Sequence, residues 1–376
     1  MTSASIARNR IFHIFPDYPH HSVRMIQFLA KVDRSLGNSF FFVAARNDET
    51  QQKYAKLENC EIVFHSSTSA QLKRLARDPD AIFVFHSLFD LEQWQQLHEL
   101  EIVERSVWVS WGADTYKHVG DVPADETLKQ KIKRHWLLWL KRRTVKKLRA
   151  AVALNQGDAD VMSDIFWARG HVRVMRYPLD DSTFGYADQV RPFRATDKRL
   201  CKVFCGNSAD PTNHHIAMLD ALAHLADSTE IIMPLNYGGG SDYVDKVITH
   251  GRHLFGDHFK PITDFMQKDD YDRLLAEMDV GVFFHDRQQG LYVAFTILLH
   301  GKPMYIRNHV SSYEEFQQLG MQVGDSDRVA TMDIQAFAEL PSSVAAKNAE
   351  IARQTFTEEP VMALWEDFLT EISTTN

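Results

Sequence analysis

Short apolar runs alternate with helix-periodic segments along nearly the whole of this 376-residue chain. Strands are expected near Ile11–Phe15, Phe40–Ala44, Glu61–His65, Ala81–His86, Val107–Trp111 and Ala151–Leu154. A second series covers Cys201–Cys205, Glu230–Met233, Met278–Phe284 and Pro303–Ile306, with weaker runs at His258–Ile262 and Arg328–Thr331. Repetition of strand, helix and strand is the pattern of parallel sheets with crossover helices, which sets the class as α/β. A chain of this length exceeds what a single core usually fills, so two domains are expected. Tyr177–Lys198 lacks periodicity and carries Pro178, Gly185 and Pro192, so it reads as the join. The expected division is residues 1–180, a linker at 181–198, and residues 199–376, ending in a helix over Glu359–Ile372. The expected architecture is two Rossmann-like domains facing each other across a cleft.

The strand ends carry the polar residues. After Val280–Phe284 comes His285-Asp286-Arg287-Gln288-Gln289-Gly290, and then a mostly apolar helix over Leu291–Leu299. In an open α/β sheet this is where ligands bind, and a helix N-terminus with free N–H groups favours an anion. Arg287 adds a planar guanidinium suited to a phosphate. Cys201–Cys205 leads into Gly206-Asn207-Ser208-Ala209-Asp210-Pro211-Thr212-Asn213, where small residues let a phosphate come close and Thr212 or Asn213 can cap the next helix. Glu230–Met233 leads into Pro234-Leu-Asn236-Tyr237-Gly-Gly-Gly-Ser241. None of the three is a Walker loop or a dinucleotide fingerprint, because the required spacings are absent. Together they suggest one nucleotide-diphosphate site.

In the first half, Asp17, His20, His21 and Ser22 follow the first strand, and Trp111-Gly112-Ala113-Asp114-Thr115-Tyr116 follows the fifth. Histidines and carboxylates so placed can act as general bases or bind hydroxyls, and each also has a structural reading as a helix cap or turn bond. Asp114 beside Trp111 is the leading candidate for chemistry. No third ligand accompanies the His20/His21 pair, so no metal site is expected.

Hydrophobic content of 44% and charged content of 24% fit a folded globular chain. The net charge of −8 argues against nucleic acid as a partner. Cys60, Cys201 and Cys205 form neither a disulfide framework nor a zinc spacing, so reduced thiols of a cytoplasmic protein are expected. No signal-type segment opens the sequence, and no apolar run approaches the ~18 residues of a membrane span. One segment runs against the overall charge: residues 129–149 hold ten Lys and Arg and no carboxylate. Ile132, Trp136, Trp139, Leu140, Val145 and Leu148 are interleaved at helical spacing. Such a helix either lies in an anionic membrane interface or buries its stripe in a core beneath a solvated basic face.

Asp17-x-Pro19-His20-His21, Trp111-Gly112-Ala113-Asp114-x-Tyr116, Gly206-Asn207-Ser208 and Arg287-Gln288-Gln289-Gly290, in that order, resemble one family. It is the TDP-N-acetylfucosamine:lipid II N-acetylfucosaminyltransferases, the 4-α-L-fucosyltransferase-like enzymes of enterobacterial common antigen assembly. The likeness runs from about Ile11 to about Asn308. It implies a GT-B glycosyltransferase with a dTDP-type nucleotide-sugar donor, a polyprenyl-linked saccharide acceptor, no metal and no cofactor. It also implies work at the inner face of the cell membrane. The donor would lie near Gly206, Asn207, Ser208, Pro234, Asn236, Tyr237, Arg287, Gln288, Gln289 and Gly290. Catalysis would fall to Asp114, His20 and Asp17, and acceptor binding to His21, Trp111 and Tyr116. The Glu-x7-Glu spacing of many GT-B enzymes is absent, with Asp286 and the Arg-Gln-Gln-Gly turn in its place. Two alternatives are a non-hydrolysing sugar-nucleotide epimerase of the same fold and a non-catalytic nucleotide-sugar-binding subunit.

Overall fold

The computed structural model describes residues 9–374 apart from 46–47, 56, 58–59, 65–67, 117–126, 180–182, 184 and 187–191. Two compact units are present: Met1–Tyr177 together with Val361–Asn376, and Pro178–Pro360.

The first unit is built on a seven-stranded sheet of β1 (Arg10–Phe15), β2 (Ser39–Ala45), β3 (Cys60–Phe64), β4 (Ala81–His86), β5 (Ser106–Val109), β6 (Ala150–Ala153) and β7 (Val172–Val174). The spatial order is β3-β2-β1-β4-β5-β6-β7, and every pairing is parallel. All residues of β4, β5 and β6 are buried, as strands with helices on both faces must be. Side chains alternate between two cores: Ile11 and Phe15 enter one, Phe12 and Ile14 the other. Val172–Val174, absent from the expected strands, is a short edge strand only partly buried, and so leaves little apolar signal.

The first core also receives the terminal helix, Glu358–Thr374, which was expected to close the second domain. Val361, Trp365, Phe368, Leu369 and Ile372 are buried there with Ile11, Val84 and Val152, and the Trp365 indole donates to the Arg176 carbonyl at 2.9 Å. Spacings of four, three, one and three residues put these side chains on one stripe. Burial of each contributes about 1.5–3 kcal/mol. Sequence order assigned the helix to its neighbours along the chain, whereas apolar area assigned it to the first sheet.

The second unit has β8 (Cys201–Cys205), β9 (Thr229–Pro234), β10 (Phe259–Ile262), β11 (Val280–Phe283), β12 (Met304–Ile306) and β13 (Gly324–Asp325), in the order β10-β9-β8-β11-β12-β13 and again all parallel. Arg328–Thr331, expected as a strand, lies in a 3-10 turn over Ser326–Thr331; only Val329 of that run is buried, too little to hold a strand against the sheet. Cys201 and Cys205 are buried free thiols, their pKa values pushed up by burial. In both sheets the order reverses beside the first strand, at β1/β4 and at β8/β11. Ligands of doubly wound sheets bind at the carboxyl ends of such strands.

Candidate functional site

At the β8/β11 switch point the three loops expected to share a ligand lie against one another. The Gly206 amide donates to the Val282 carbonyl at 2.9 Å, and the Ala209 amide to the Tyr237 carbonyl at 2.7 Å. Gly239 packs so closely that a Cβ would stand 2.4 Å from the Ala209 oxygen. Gly290 precedes the Leu291–Leu299 helix at φ +67°, and a Cβ there would come within 2.9 Å of the Asn207 Cβ. Only glycine fits at Gly239, where there is no room for a Cβ, and at Gly290, where both the room and the φ demand it, so these two are packing requirements of the site. An Arg287 Nη donates to an Asp210 carboxylate oxygen at 3.2 Å, and the Gln289 amide meets the Thr212 hydroxyl at 3.3 Å. Loops 206–213, 234–240 and 285–290 therefore form one surface.

Within it, the expected donor residues divide by exposure. Tyr237 is exposed, and Asn207, Asn236, Arg287, Gln289 and Gly290 are partly so. Asn236 donates to the Asp264 carbonyl at 3.5 Å, while its own amide oxygen is enclosed and unpartnered among the described residues. Ser208 and Gln288 are buried, and Ser208 serves the loop: its carbonyl accepts from Asn213 at 3.2 Å and from His215 at 2.9 Å. Pro234 ends β9 in register with Ile262. Neither Thr212 nor Asn213 caps the following helix. That position belongs to His214 at φ +51°, and Asp210 instead caps the short 3-10 turn by accepting from the Thr212 amide.

Charge is concentrated at the same edge. Burial pushes the Asp210 carboxyl up, but the amide and hydroxyl of Thr212 and the Arg287 guanidinium outweigh it, leaving its pKa below the usual carboxylate range. Burial likewise opposes ionisation of Asp286, and His214 with Arg307 overcomes it. Arg307, the first residue after β12, also pairs with Asp327 at 3.3 Å and stands over the Phe284 ring at 5.1 Å. His285 is buried beneath this group, with both ring nitrogens unpartnered among the described residues; burial and then the Arg287 charge push it down to about 3, so it is neutral. Arg307 and His214 were missed in the sequence. The rule that pointed to Arg287, a cation just past a buried strand, points equally to Arg307, whereas the left-handed turn at His214 leaves no such mark.

The first unit treats its strand-end residues differently. Asp114 is fully buried: one carboxylate oxygen accepts from the Trp108 indole at 2.7 Å and the Leu88 amide at 3.1 Å, the other from the Ser110 hydroxyl and the Trp111 amide, both at 2.9 Å. A carboxylate holding four donors out of water locks a turn, and the expected role of Asp114 as a chemical base would have to work from that buried, fully bonded position. Tyr116 donates to Asp158 at 2.7 Å, and the Trp111 indole to the Tyr177 hydroxyl at 2.6 Å. Asp17 accepts from Tyr54 at 3.4 Å and is only partly buried. His20 and His21 stand in the first turn of the Pro19–Leu36 helix, and their side chains lie outside the described residues.

The basic segment forms the Leu128–Val145 helix, opened by a Thr127/Gln130 capping box. Its apolar stripe was open to two readings. Leu128, Ile132, Trp136 and Trp139 remain 73%, 61%, 44% and 49% exposed, while Val145 and Leu148 enter a core. Lys141 is the exception among the cations: it is buried, with its ammonium 4.6 Å from the centre of the Trp94 ring. No helix of the described residues is long and apolar enough to cross a membrane.

Residues 8–364 match the family described as 4-alpha-L-fucosyltransferase, glycosyl transferase group 56. The chain belongs to that family. It is therefore a glycosyltransferase, and its two parallel sheets are those of the GT-B fold. A glycosyltransferase from Rickettsia africae superposes with a TM-score of 0.70 at 10% identity, over 98% of this chain and 100% of that one. Anabaena HepE in complex with UDP gives 0.68 at 13% identity, over 96% and 100%. The lipopolysaccharide outer core galactosyltransferase WaaB gives 0.64 at 11%, over 95% and 98%. At such identities these likenesses establish the fold alone. Among the described residues of this group 56 transferase, no cluster of three or more His, Cys, Asp or Glu is placed to hold a metal ion.

Proposed function

We propose that this transferase moves an N-acetylfucosamine-like sugar from a dTDP-type nucleotide donor to a polyprenyl-linked saccharide in cell-surface polysaccharide synthesis. The observation that carries the reading is the interlocked edge of β8, β9 and β11, where Arg287, Arg307 and the N-terminus of an apolar helix converge. A departing nucleoside diphosphate gains negative charge as its bond to the sugar breaks, and fixed cations and free helix amides stabilise that charge without a metal. HepE, similar in fold, was solved in complex with UDP, which is in keeping with a nucleoside diphosphate as the leaving group here. In the transfer, an acceptor hydroxyl oxygen bonds to the sugar C1 as the C1–O bond to the diphosphate breaks. The diphosphate leaves with the electron pair, and the hydroxyl proton passes to a base. With Asp114 committed to its turn, Asp17 and His20 are the candidates for that base in the first unit.

The exposed Leu128–Ile132–Trp136–Trp139 stripe, set among Lys129, Lys131, Lys133 and Arg134, fits an anionic membrane surface at the inner leaflet, where a lipid-linked acceptor would be found. Thermal-shift titration with dTDP and UDP, followed by transfer and donor-hydrolysis assays with and without EDTA, tests the reading. Stabilisation by a nucleoside diphosphate and EDTA-resistant turnover are expected. Indifference to both nucleotides, or activity lost in EDTA and restored by magnesium or manganese, would overturn it.

A further inference from the structure

The switch point of the first sheet carries an aromatic group open to solvent. Tyr18 follows β1, Phe89 follows β4 and Trp111 follows β5, three strands that are neighbours in the sheet. The Tyr18 ring meets Phe89 at 5.9 Å and Trp111 at 6.4 Å, tilted 61° and 66° to them. Tyr18 keeps 43% of its surface in solvent, and Phe89 and Trp111 are only partly buried. Trp111 is held from both ends, its amide donating to Asp114 and its indole to Tyr177. The bond to buried Asp114 therefore helps fix the floor of this group. Asp17, next to Tyr18 and only partly buried, sets a carboxylate beside the rings.

We propose that Tyr18, Phe89 and Trp111 form a stacking subsite for a pyranose ring of the acceptor saccharide, with Asp17 accepting from its hydroxyls. The inference rests on the transferase reading above and adds to it the residues that select the acceptor. A pyranose has an apolar C–H face inside a rim of hydroxyls. Aromatic faces carry negative charge that attracts the C–H bonds and leave the hydroxyls to a neighbouring acceptor. Rings set at steep angles make a cup, which suits a puckered sugar better than a flat nucleobase.

The test uses the full chain and saturation transfer from its aromatic protons to methyl β-glycosides of N-acetylglucosamine and N-acetylmannosamine, in wild type, Tyr18→Leu, Phe89→Leu and Tyr18→Phe. Transfer to the ring C–H protons is expected in wild type. The two leucine variants should bind about tenfold more weakly, and Tyr18→Phe should retain the signal because it keeps the ring. Undiminished transfer in both leucine variants overturns the proposal, as does equal loss in Tyr18→Phe. Thermal shift with dTDP and UDP, read on the same samples, separates the two levels. A wild type that binds either nucleotide but neither glycoside removes the subsite and leaves the transferase reading standing. A wild type that binds nothing removes both.

Discussion

Asp114 in the first unit and Asp210 in the second stand just past parallel strands, and they have opposite fates. Asp114 is fully buried and accepts from four donors, two in the turn after β5 and the others from Trp108 of β5 and Leu88 beyond β4, whereas Asp210 is partly exposed and holds one nitrogen of Arg287 while the rest of that guanidinium is uncommitted to it. The difference teaches that two carboxylates at equivalent strand ends can differ wholly in their access to water and their spare hydrogen-bonding capacity. The same contrast runs through the cations. Lys141 is sealed over Trp94, while Lys129, Lys131 and Lys133 of the same helix face solvent.

The largest effect is expected from Asp114→Ala. Removing an acceptor that serves four buried donors should cost on the order of 3–5 kcal/mol of stability. The denaturant midpoint measures it, and unchanged stability with abolished transfer would return Asp114 to chemistry. Next comes Arg287→Ala, which should weaken dTDP binding by about 2–3 kcal/mol, the loss of one charge-assisted contact, with the fold intact. Arg307→Ala should act in the same direction. If titration calorimetry gives a wild-type dissociation constant for both variants, the charged edge does not hold the nucleotide.

Acid acts on buried histidines in both units. Burial lowers His13 in the first unit to about 3, and burial with the Arg287 charge lowers His285 in the second to about 3. A group whose folded pKa lies below its unfolded value of 6.5 contributes stability that is complete above pH 6.5 and falls away as pH drops toward 3. Each such histidine should therefore cost about 2 kcal/mol between neutral pH and pH 5, at roughly 1.4 kcal/mol per unit. Chemical denaturation across that range measures the loss, and a flat profile would show that these rings are reached by water. The smallest effect per residue is expected at the basic helix. Lys129→Glu, Lys131→Glu and Lys133→Glu together should release the protein from anionic vesicles, at roughly 1 kcal/mol per cation, and spare donor hydrolysis. Lys141 is unsuited to this test because it is a core residue. Wild-type protein that ignores such vesicles at low salt would end the membrane reading.

What was legible in the sequence depended on how far apart the interacting residues lie. Periodicity alone placed β1, β4, β8 and β11, because a buried parallel strand must be a continuous apolar run. The Arg287 turn and the Gly206 and Pro234 loops stood out because strand ends of an α/β sheet are where backbone amides are free. Their convergence rests on strand order, which brings β9, β8 and β11 side by side although residues 229 and 283 lie far apart in the chain. Nothing local told Ser208 from Asn207, or Asp114 from Asp17, since each pair shares a loop type and differs only in what packs over it.

The α/β class, the run of strands and helices, the polar loops at the strand ends and an isolated basic segment were set by the sequence alone. All of these follow from the solvation preference and backbone geometry of neighbouring residues. Only the tertiary structure decided that Glu358–Thr374 returns to the first sheet, that Asp114 is sealed, that Arg307 joins Asp286, and that Trp136 and Trp139 face water. Burial and charge pairing are properties of groups brought together from distant parts of the chain, and no local pattern encodes which of two similar residues the fold will cover.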